Sequence, residues 1–227
     1  MNRTYFLLLV VSVMTSCDKE PQDPHQVEHF IRTYVEGPYR LEPINDCTGF
    51  WITILEKDRV KIQSPDTKQG SYPFRERYLQ IAERNGDTDY NRFADYEWYE
   101  REALADNFRL LSVTSDKAWD THHPAGTGLG DILLFKAYSY SPYIRSGYSG
   151  NIYTQISVPL NHVTEGQMEV LNFEPDSYLR DLPQIRFLRA PSTEEPHTLT
   201  LTITTTDGKV HTPTVTCIPK PYDPETE

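Results

Sequence analysis

Basic residues are scarce in this chain, and it has no long apolar run. Of its 227 residues, 22 are Lys or Arg and 33 are Asp or Glu, so the formal charge is −11. Nucleic acids bind to basic patches that neutralise phosphates, so this balance argues against a nucleic-acid partner and against electrostatic adsorption to anionic lipid. The apolar stretch from Tyr5 to Met14 is shorter than the roughly 20 residues that a helix needs to cross a bilayer.

Complete motifs of familiar catalytic or phosphate-binding sites are also lacking. The glycine-rich segment from Gly126 to Asp131 does not contain the Lys-Ser/Thr pair of a P-loop. The acidic run from Asp87 to Asn91 opens with the spacing of a calcium loop, but Arg92 then stands where the turn glycine belongs. We therefore expect no catalytic residue, no metal site and no cofactor, and an enzyme is the less favoured interpretation.

The first seventeen residues have the form of a bacterial lipoprotein signal. Arg3 supplies a positive start, an apolar core follows, and small residues precede Cys17. The segment from Val13 to Cys17 resembles the lipobox, and this resemblance implies that residues 1–16 are removed and that Cys17 carries the lipid, palmitate included. Such an anchor holds the protein to the cell envelope through its acyl chains. The alternative is an ordinary cleaved signal followed by an incidental cysteine.

The residues directly after Cys17 bear on which membrane face the protein occupies. The acidic segment from Asp18 to Glu20 resembles the surface-export signal of Bacteroidota lipoproteins. It is equally compatible with a solvated tether spanning residues 17–23. We expect an outer-membrane location, and the choice between the surface and the periplasmic face stays open.

Assigning Cys17 to lipid leaves an even pair of cysteines, Cys47 and Cys217. Export to an oxidising compartment favours their oxidation, so a disulfide between them is expected. It would close a loop of roughly 170 residues and, in the chain-entropy account, constrain the unfolded state strongly. The alternative is two separate buried thiols.

Hydrophobic patterning predicts a mainly β domain with a few helices over residues 24–218. Helices are expected at 24–36, where a strand over 29–35 is the alternative, at 73–84, where alternation over 77–82 leaves a strand open, and at 90–105. Strands are expected at 50–55, 59–63, 108–114, 152–158 and 184–188, with a hairpin of 197–205 and 210–218 around Asp207-Gly208. The segment 131–135 fits either type. Residues 219–227 are expected to form a flexible tail.

The C-terminal half combines the strand from Phe108, the Thr114–Lys117 turn, the Pro124–Gly126 loop and the closing Asp-Gly hairpin. In this general pattern it resembles uncharacterised lipoproteins of Bacteroidota. This resemblance implies an immunoglobulin-like β-sandwich in the C-terminal part and brings no catalytic residues. A single domain over 24–218 is expected, and a division into 24–107 and 108–218 is the alternative.

Two groups of side chains are candidates for function. Asp120, His122 and His123 could bind a metal or exchange protons near neutral pH, although an exposed polar loop explains them equally. The second group is rich in tyrosine, whose rings bury area at low entropy cost in binding surfaces. It consists of Tyr138, Tyr140, Tyr143, Arg145, Tyr148 and Tyr153. Its alternative is the packing of half-buried strands.

These observations favour a lipid-anchored envelope protein that binds a glycan or a protein partner without catalysis. The first alternative is an envelope hydrolase that uses the Asp120, His122 and His123 loop. The second is a structural subunit of an envelope complex.

Overall fold

The structure is a computed structural model that describes residues 26–67, 72–95, 98, 100–174 and 182–224. The lipoprotein signal, Cys17 and the tether lie outside the described residues. Within the described part of the chain, no helix has the length and apolar character that crossing a membrane requires.

The described residues form fourteen strands and two α-helices. The strands are β1 (Gln26–Val27), β2 (Thr33–Glu36), β3 (Arg40–Pro43), β4 (Gly49–Thr53), β5 (Val60–Gln63), β6 (Arg92–Phe93), β7 (Glu102–Leu104), β8 (Phe108–Ser115), β9 (Leu133–Ser139), β10 (Thr154–Pro159), β11 (Gln184–Phe187), β12 (His197–Thr205), β13 (Val210–His211) and β14 (Thr214–Cys217). The helices are α1 (Arg75–Asn85) and α2 (Ser141–Arg145). The predicted mainly β fold with a few helices is confirmed.

Two antiparallel sheets share one apolar core. One sheet has five strands in the order β10-β9-β11-β4-β3, and the other places β12 between β8 on one side and β13 and β14 on the other. Side chains alternate across a strand, so one face of each sheet points into the core. The five-stranded sheet contributes Phe50, Ile52, Phe135, Ile185 and Phe187, and the other contributes Val113, Leu199, Leu201, Ile203 and Val215. The two layers form a β-sandwich.

The sandwich is not confined to the C-terminal part of the chain. Strands β3 and β4 come from residues 40–53, and β4 pairs directly with β11 through Gln184↔Trp51. The alternative division of the chain into 24–107 and 108–218 would thus run between two strands that are hydrogen-bonded neighbours, β4 and β11. The predicted hairpin is present, because β12 pairs with both β13 and β14, and its Leu199, Leu201 and Ile203 point inward as expected.

A second, aromatic-rich core lies around the sheet β5-β2-β7. In this sheet β2 pairs with β5 antiparallel and with β7 parallel. The buried residues of this aromatic core include Phe30, Tyr34, Tyr78, Trp98, Tyr140, Tyr143 and Tyr148. The predicted helix at 73–84 is present as α1, which ends at Gly86, where φ is 73° and the amide bonds to the carbonyls of Ala82 and Glu83. A left-handed glycine is a common way to end a helix.

The helix predicted at 24–36 is wrong over the described residues, where β2 supports the strand alternative at 29–35. The helix predicted at 90–105 is wrong over β6 and β7. Strands β2 and β7 are buried on two faces, since Tyr34 and Ala103 lie in the aromatic core while Val35 and Leu104 lie in the sandwich core. A strand buried on both sides reads as a continuous apolar run and loses the alternation of period two that would identify it.

The chain end after β14 is not a free tail over residues 219–222. The amide of Lys220 donates to the carbonyl of Cys47 at 3.0 Å, and the amide of Tyr222 donates to the carbonyl of Phe187 at 2.7 Å. These bonds fasten the segment along the five-stranded sheet, so the flexible-tail prediction is wrong for these residues.

Candidate binding face

The outer face of the five-stranded sheet carries a row of polar and aromatic side chains. The register places Ser157 opposite Lys136, Lys136 opposite Gln184 and Gln184 opposite Trp51. Glu42 lies opposite Trp51 and ends the row on the edge strand β3. Their neighbours along each strand point into the core, so these five side chains lie on the opposite face of the pleat.

An aromatic pair lies beside this row. Tyr138 of β9 and Tyr153, just before β10, have ring centroids 5.3 Å apart at an interplanar angle of 76°. This edge-to-face geometry is favourable for aromatic pairs. Tyr153 is 53% exposed, and Gln155 lies opposite Tyr138 in the register. An exposed ring of fixed orientation therefore stands next to an amide side chain.

Tyr222 joins the face from the chain end. Lys136 Nζ donates to the Tyr222 hydroxyl at 3.0 Å, and the guanidinium of Arg186 lies 4.8 Å from the centre of the Tyr222 ring. Arg186 Nε donates to Oε1 of Gln184 at 2.6 Å, which fixes the amide of Gln184. We call this set of side chains the polar-aromatic face, defined as Trp51, Lys136, Tyr138, Tyr153, Gln155, Gln184 and Tyr222.

Most of the tyrosine cluster predicted from the sequence is not on this face. Tyr140, Tyr143 and Tyr148 are between 2% and 6% exposed, and they pack around Phe30 in the aromatic core. The prediction of a binding surface is therefore wrong for these three residues, and the packing alternative is correct for them. Arg145 is exposed at the end of α2 and forms an ion pair with Glu169.

A buried carboxylate organises the aromatic core beneath those tyrosines. Asp87 is 0% exposed; its Oδ1 accepts from the amide of Phe30 at 2.7 Å and from the Tyr148 hydroxyl at 3.1 Å. Its Oδ2 accepts from the amide of Ile31 at 2.9 Å. Burial raises the pKa of Asp87, and the amides of Ile31 and Phe30 oppose that rise. The carboxylate satisfies buried donors and is closed off from solvent, so its role is structural.

The Asp120 and His123 side chains meet, as the sequence suggested, and Asp131 joins them. His123 Nδ1 lies 2.8 Å from Oδ1 of Asp120, and its Nε2 lies 3.0 Å from Oδ1 of Asp131. The hydrogen bond to Asp120 is the main cause that raises the pKa of His123. Both ring nitrogens are engaged by carboxylates, so the ring is held as a structural cation. His122 is exposed, and its Nδ1 contacts the hydroxyl of Thr121 at 3.3 Å.

One group in the described part of the chain has the composition of a metal site. Glu28, His29 and Asp66 offer ligand atoms that lie within 4.8 Å of one another. Oδ2 of Asp66, however, already accepts from the amides of Glu28 and His29 and from His29 Nδ1 at 2.9 Å. Burial lowers the pKa of His29, but the hydrogen bond to Asp66 together with the charges of Asp66 and Asp87 outweighs it, so the net shift is upward. A metal ligand must be unprotonated, so these residues fit a hydrogen-bonded ion pair better than a metal site.

The two cysteines outside the signal lie side by side. Cys47 packs against the apolar core that includes Cys217, and in the structure both are free thiols. Burial, followed by the neighbouring Cys47, raises the pKa of Cys217 to about 12. The expected disulfide therefore stays a prediction, and its alternative of two separate thiols stays open.

Sequence reasoning missed Trp51, Gln184 and Tyr222, which come from three distant parts of the chain. Comparison with known proteins found no matching family model, no matching curated protein and no matching solved structure. The function is therefore inferred from the chain's own geometry.

Proposed function

We propose that the protein is a lipid-anchored envelope module that binds a glycan on the polar-aromatic face and does not catalyse a reaction. The observation that carries this proposal is the exposed Tyr153 ring, held edge-to-face by Tyr138 at 5.3 Å. Aromatic faces pack against the apolar faces of sugar rings, while neighbouring polar groups bond to the hydroxyls. The amides of Gln155 and Gln184 and the ammonium of Lys136 supply such groups on the same face.

The chemistry of the face favours binding over hydrolysis. Glycoside hydrolysis uses two carboxyl groups about 5–10 Å apart on either side of the scissile bond. In the row across the sheet, Glu42 is the one carboxylate, and it stands at the edge strand. The residues of the hydrolase alternative, Asp120 and His123, bond to each other and to Asp131. Their polar groups are thus committed to the loop that carries them.

The membrane anchor is proposed from Cys17. A chain with a formal charge of −11 is repelled by anionic lipid, so acyl chains would have to provide the attachment. Labelling cells with an alkynyl fatty acid tests this step. We expect label on the wild-type protein and none on Cys17→Ala, which should leave the membrane fraction. Label that persists on the variant would contradict the anchor.

The glycan proposal is tested by screening the intact protein on a glycan array and titrating the strongest hit. Tyr153→Ala and Tyr138→Ala should each weaken binding by about tenfold, since an aromatic contact contributes on the order of 1 kcal/mol beyond its buried area. Phe93→Ala is the matched control, because Phe93 is an aromatic side chain that is 68% exposed on strand β6 of a different sheet. An empty array, or binding that is unchanged in Tyr153→Ala, would overturn the proposal.

A second candidate is a subunit of an envelope complex, and the outer face of the other sheet favours it. There Leu110 and Val210 lie on either side of Thr204 in the register and are 58% and 61% exposed. Exposed apolar side chains that lie together mark interaction surfaces. Native purification from membranes should recover a partner that Leu110→Glu loses. A wild-type protein that purifies alone would remove this candidate.

A further inference from the structure

The last described segment of the chain connects the two cysteines to the polar-aromatic face. Cys217 ends β14, and three residues later the amide of Lys220 donates to the carbonyl of Cys47 at 3.0 Å. Two residues further, the amide of Tyr222 donates to the carbonyl of Phe187 at 2.7 Å. The Tyr222 ring then lies against Arg186, while its hydroxyl accepts from Lys136. The position of the Tyr222 ring therefore depends on a segment that starts at Cys217.

Cys47 belongs to a turn with an unusual backbone conformation. Asp46 and Cys47 have φ values of 54° and 60°, a left-handed conformation that is uncommon for residues other than glycine. The turn ends directly before β4 of the five-stranded sheet, whereas Cys217 belongs to the other sheet of the sandwich. A covalent link between these residues would join the two layers at this edge.

We infer that Cys47 and Cys217 form a disulfide that holds residues 217–222 against the five-stranded sheet and so positions Tyr222 on the polar-aromatic face. The inference goes beyond glycan binding, because the cross-link and its effect on the chain end can be measured without any ligand.

The oxidation can proceed by thiol–disulfide exchange with a small disulfide or a protein disulfide donor. The Cys47 thiolate attacks one sulfur of the donor, forms a mixed disulfide and releases the donor's first thiolate. Cys217 then loses its proton to solvent and attacks the Cys47 sulfur, which releases the donor's second thiolate. Two protein thiols are thereby oxidised by two electrons, and the donor disulfide is reduced to two thiols.

The order in which the two cysteines react follows from their surroundings. Cys47 is half-buried and Cys217 is buried, so an external donor reaches Cys47 first. Burial raises the pKa of the Cys217 thiol, which keeps it protonated until Cys47 is already in the mixed disulfide. Cys47 packs against the core to which Cys217 belongs, and the Lys220 amide bonds to the Cys47 carbonyl, so the two cysteines lie on adjoining segments for the second attack.

The cross-link is tested first by counting thiols in the exported full-length protein carrying Cys17→Ser, which removes the third thiol. Alkylation under denaturing conditions, read by mass spectrometry, should find no free thiol before reduction and two after it. Reduction should also lower the melting temperature by about 10 °C, as expected for a native disulfide in a chain of this size. Two free thiols that persist after treatment with oxidised glutathione would overturn the inference.

The effect on the chain end is tested by amide hydrogen exchange, followed by NMR in the oxidised and the reduced protein. Reduction should speed exchange at Lys220 and Tyr222 by at least tenfold. The amide of Leu201, which bonds to the carbonyl of Pro213 at 3.0 Å inside the hairpin, serves as the control and should not change. The double variant Cys47→Ala/Cys217→Ala should show the same fast exchange as the reduced protein. If this variant does not fold, exchange in the reduced wild-type protein measures the same effect. A disulfide that forms while exchange at Tyr222 stays unchanged would overturn the positioning role.

Discussion

Oδ1 of Asp131 lies 3.0 Å from Nε2 of His123, on the opposite side of the ring from Asp120. A neutral imidazole donates one hydrogen bond, whereas the imidazolium donates two. The pair of carboxylates therefore selects the charged ring, and the ring in turn closes the loop from Asp120 to Asp131.

This arrangement predicts a pH window for the loop. The pKa of His123 is raised above 6.5, so its contribution to stability is complete below 6.5 and is lost as the pH rises through the folded-state value. The pKa values of Asp120 and Asp131 are lowered below 3.8, so their contributions are present above 3.8 and are lost as the pH falls through the folded-state values. The loop should therefore be most stable at pH values between 3.8 and 6.5, where all three side chains carry their charge.

NMR titration of the histidine ring protons measures this prediction. His123 should titrate above 6.5, and Asp131→Asn should move its pKa down. His197 is the internal contrast, because burial lowers its pKa from the same starting value. A His123 pKa at or below 6.5 in the wild-type protein would contradict the structural role given to the ring.

The buried carboxylate of Asp87 should be among the most sensitive polar positions. Asp87→Ala would leave the amides of Phe30 and Ile31 and the hydroxyl of Tyr148 without their acceptor. A buried donor without a partner costs about 1–3 kcal/mol, so we expect a loss of about 4 kcal/mol in the free energy of unfolding. Urea unfolding measures it.

The control for that position is Asp89→Asn, since Asp89 is an exposed aspartate two residues away. It should change the free energy of unfolding by less than about 0.5 kcal/mol. Tyr148→Phe should fall between the two, because it removes one of the three donors to Asp87. Equal effects of Asp87→Ala and Asp89→Asn would mean that the buried contacts carry no stability.

The sequence alone indicates the secondary structure of elements whose apolar side chains all lie on one face. Strand β12 alternates Thr with Leu or Ile, so local periodicity identified it, whereas the single apolar face of α1 favoured a helix but alternation over 77–82 left a strand open. Local periodicity failed at β2 and β7, where Val35 and Leu104 point into one core while their neighbours point into the other. Periodicity disappears when both faces are buried, and only the tertiary packing decides the structure.

The candidate site was predictable only in part for a related reason. Tyr138 on β9 and Tyr153 just before β10 lie close in sequence, so a local tyrosine cluster indicated them. Trp51 and Gln184 meet across β4 and β11, which are more than a hundred residues apart, and the register between them has no local signal. The same tyrosine-rich segment also contributes Tyr140, Tyr143 and Tyr148 to the aromatic core, and composition cannot separate buried rings from exposed ones.

The end of α1 gives a prediction about backbone conformation alone. Gly86 has a φ of 73°, and a Cβ atom added there would meet nothing within 4 Å. Gly86→Ala should therefore cost about 1 kcal/mol through left-handed strain and not through a clash. Gly128→Ala is the matched control, since it too has open space around it but no positive φ. Chemical denaturation of both variants tests this; identical stabilities would contradict it.

Gly49 is the position where the sheet beneath the polar-aromatic face has no room for a side chain. It lies opposite Arg186 in the pairing of β4 with β11, and a Cβ atom there would stand 2.2 Å from the carbonyl oxygen of Ile185 and 3.0 Å from the Cα of Arg186. Both obstacles are main chain, so the strands must separate for an alanine to fit. Overpacking of this kind costs about 3 kcal/mol.

Gly49→Ala should consequently lower the melting temperature by about 10 °C, with Gly166→Ala as the control because its surroundings are open. In the folded fraction, moving β11 should also displace Arg186 and with it the Tyr222 ring, which lies 4.8 Å from that guanidinium. Chemical-shift changes at Tyr222, a residue far from position 49 in sequence, would report this displacement. A Gly49→Ala protein with wild-type stability and an unchanged Tyr222 signal would show that the two strands are not held at the separation described above.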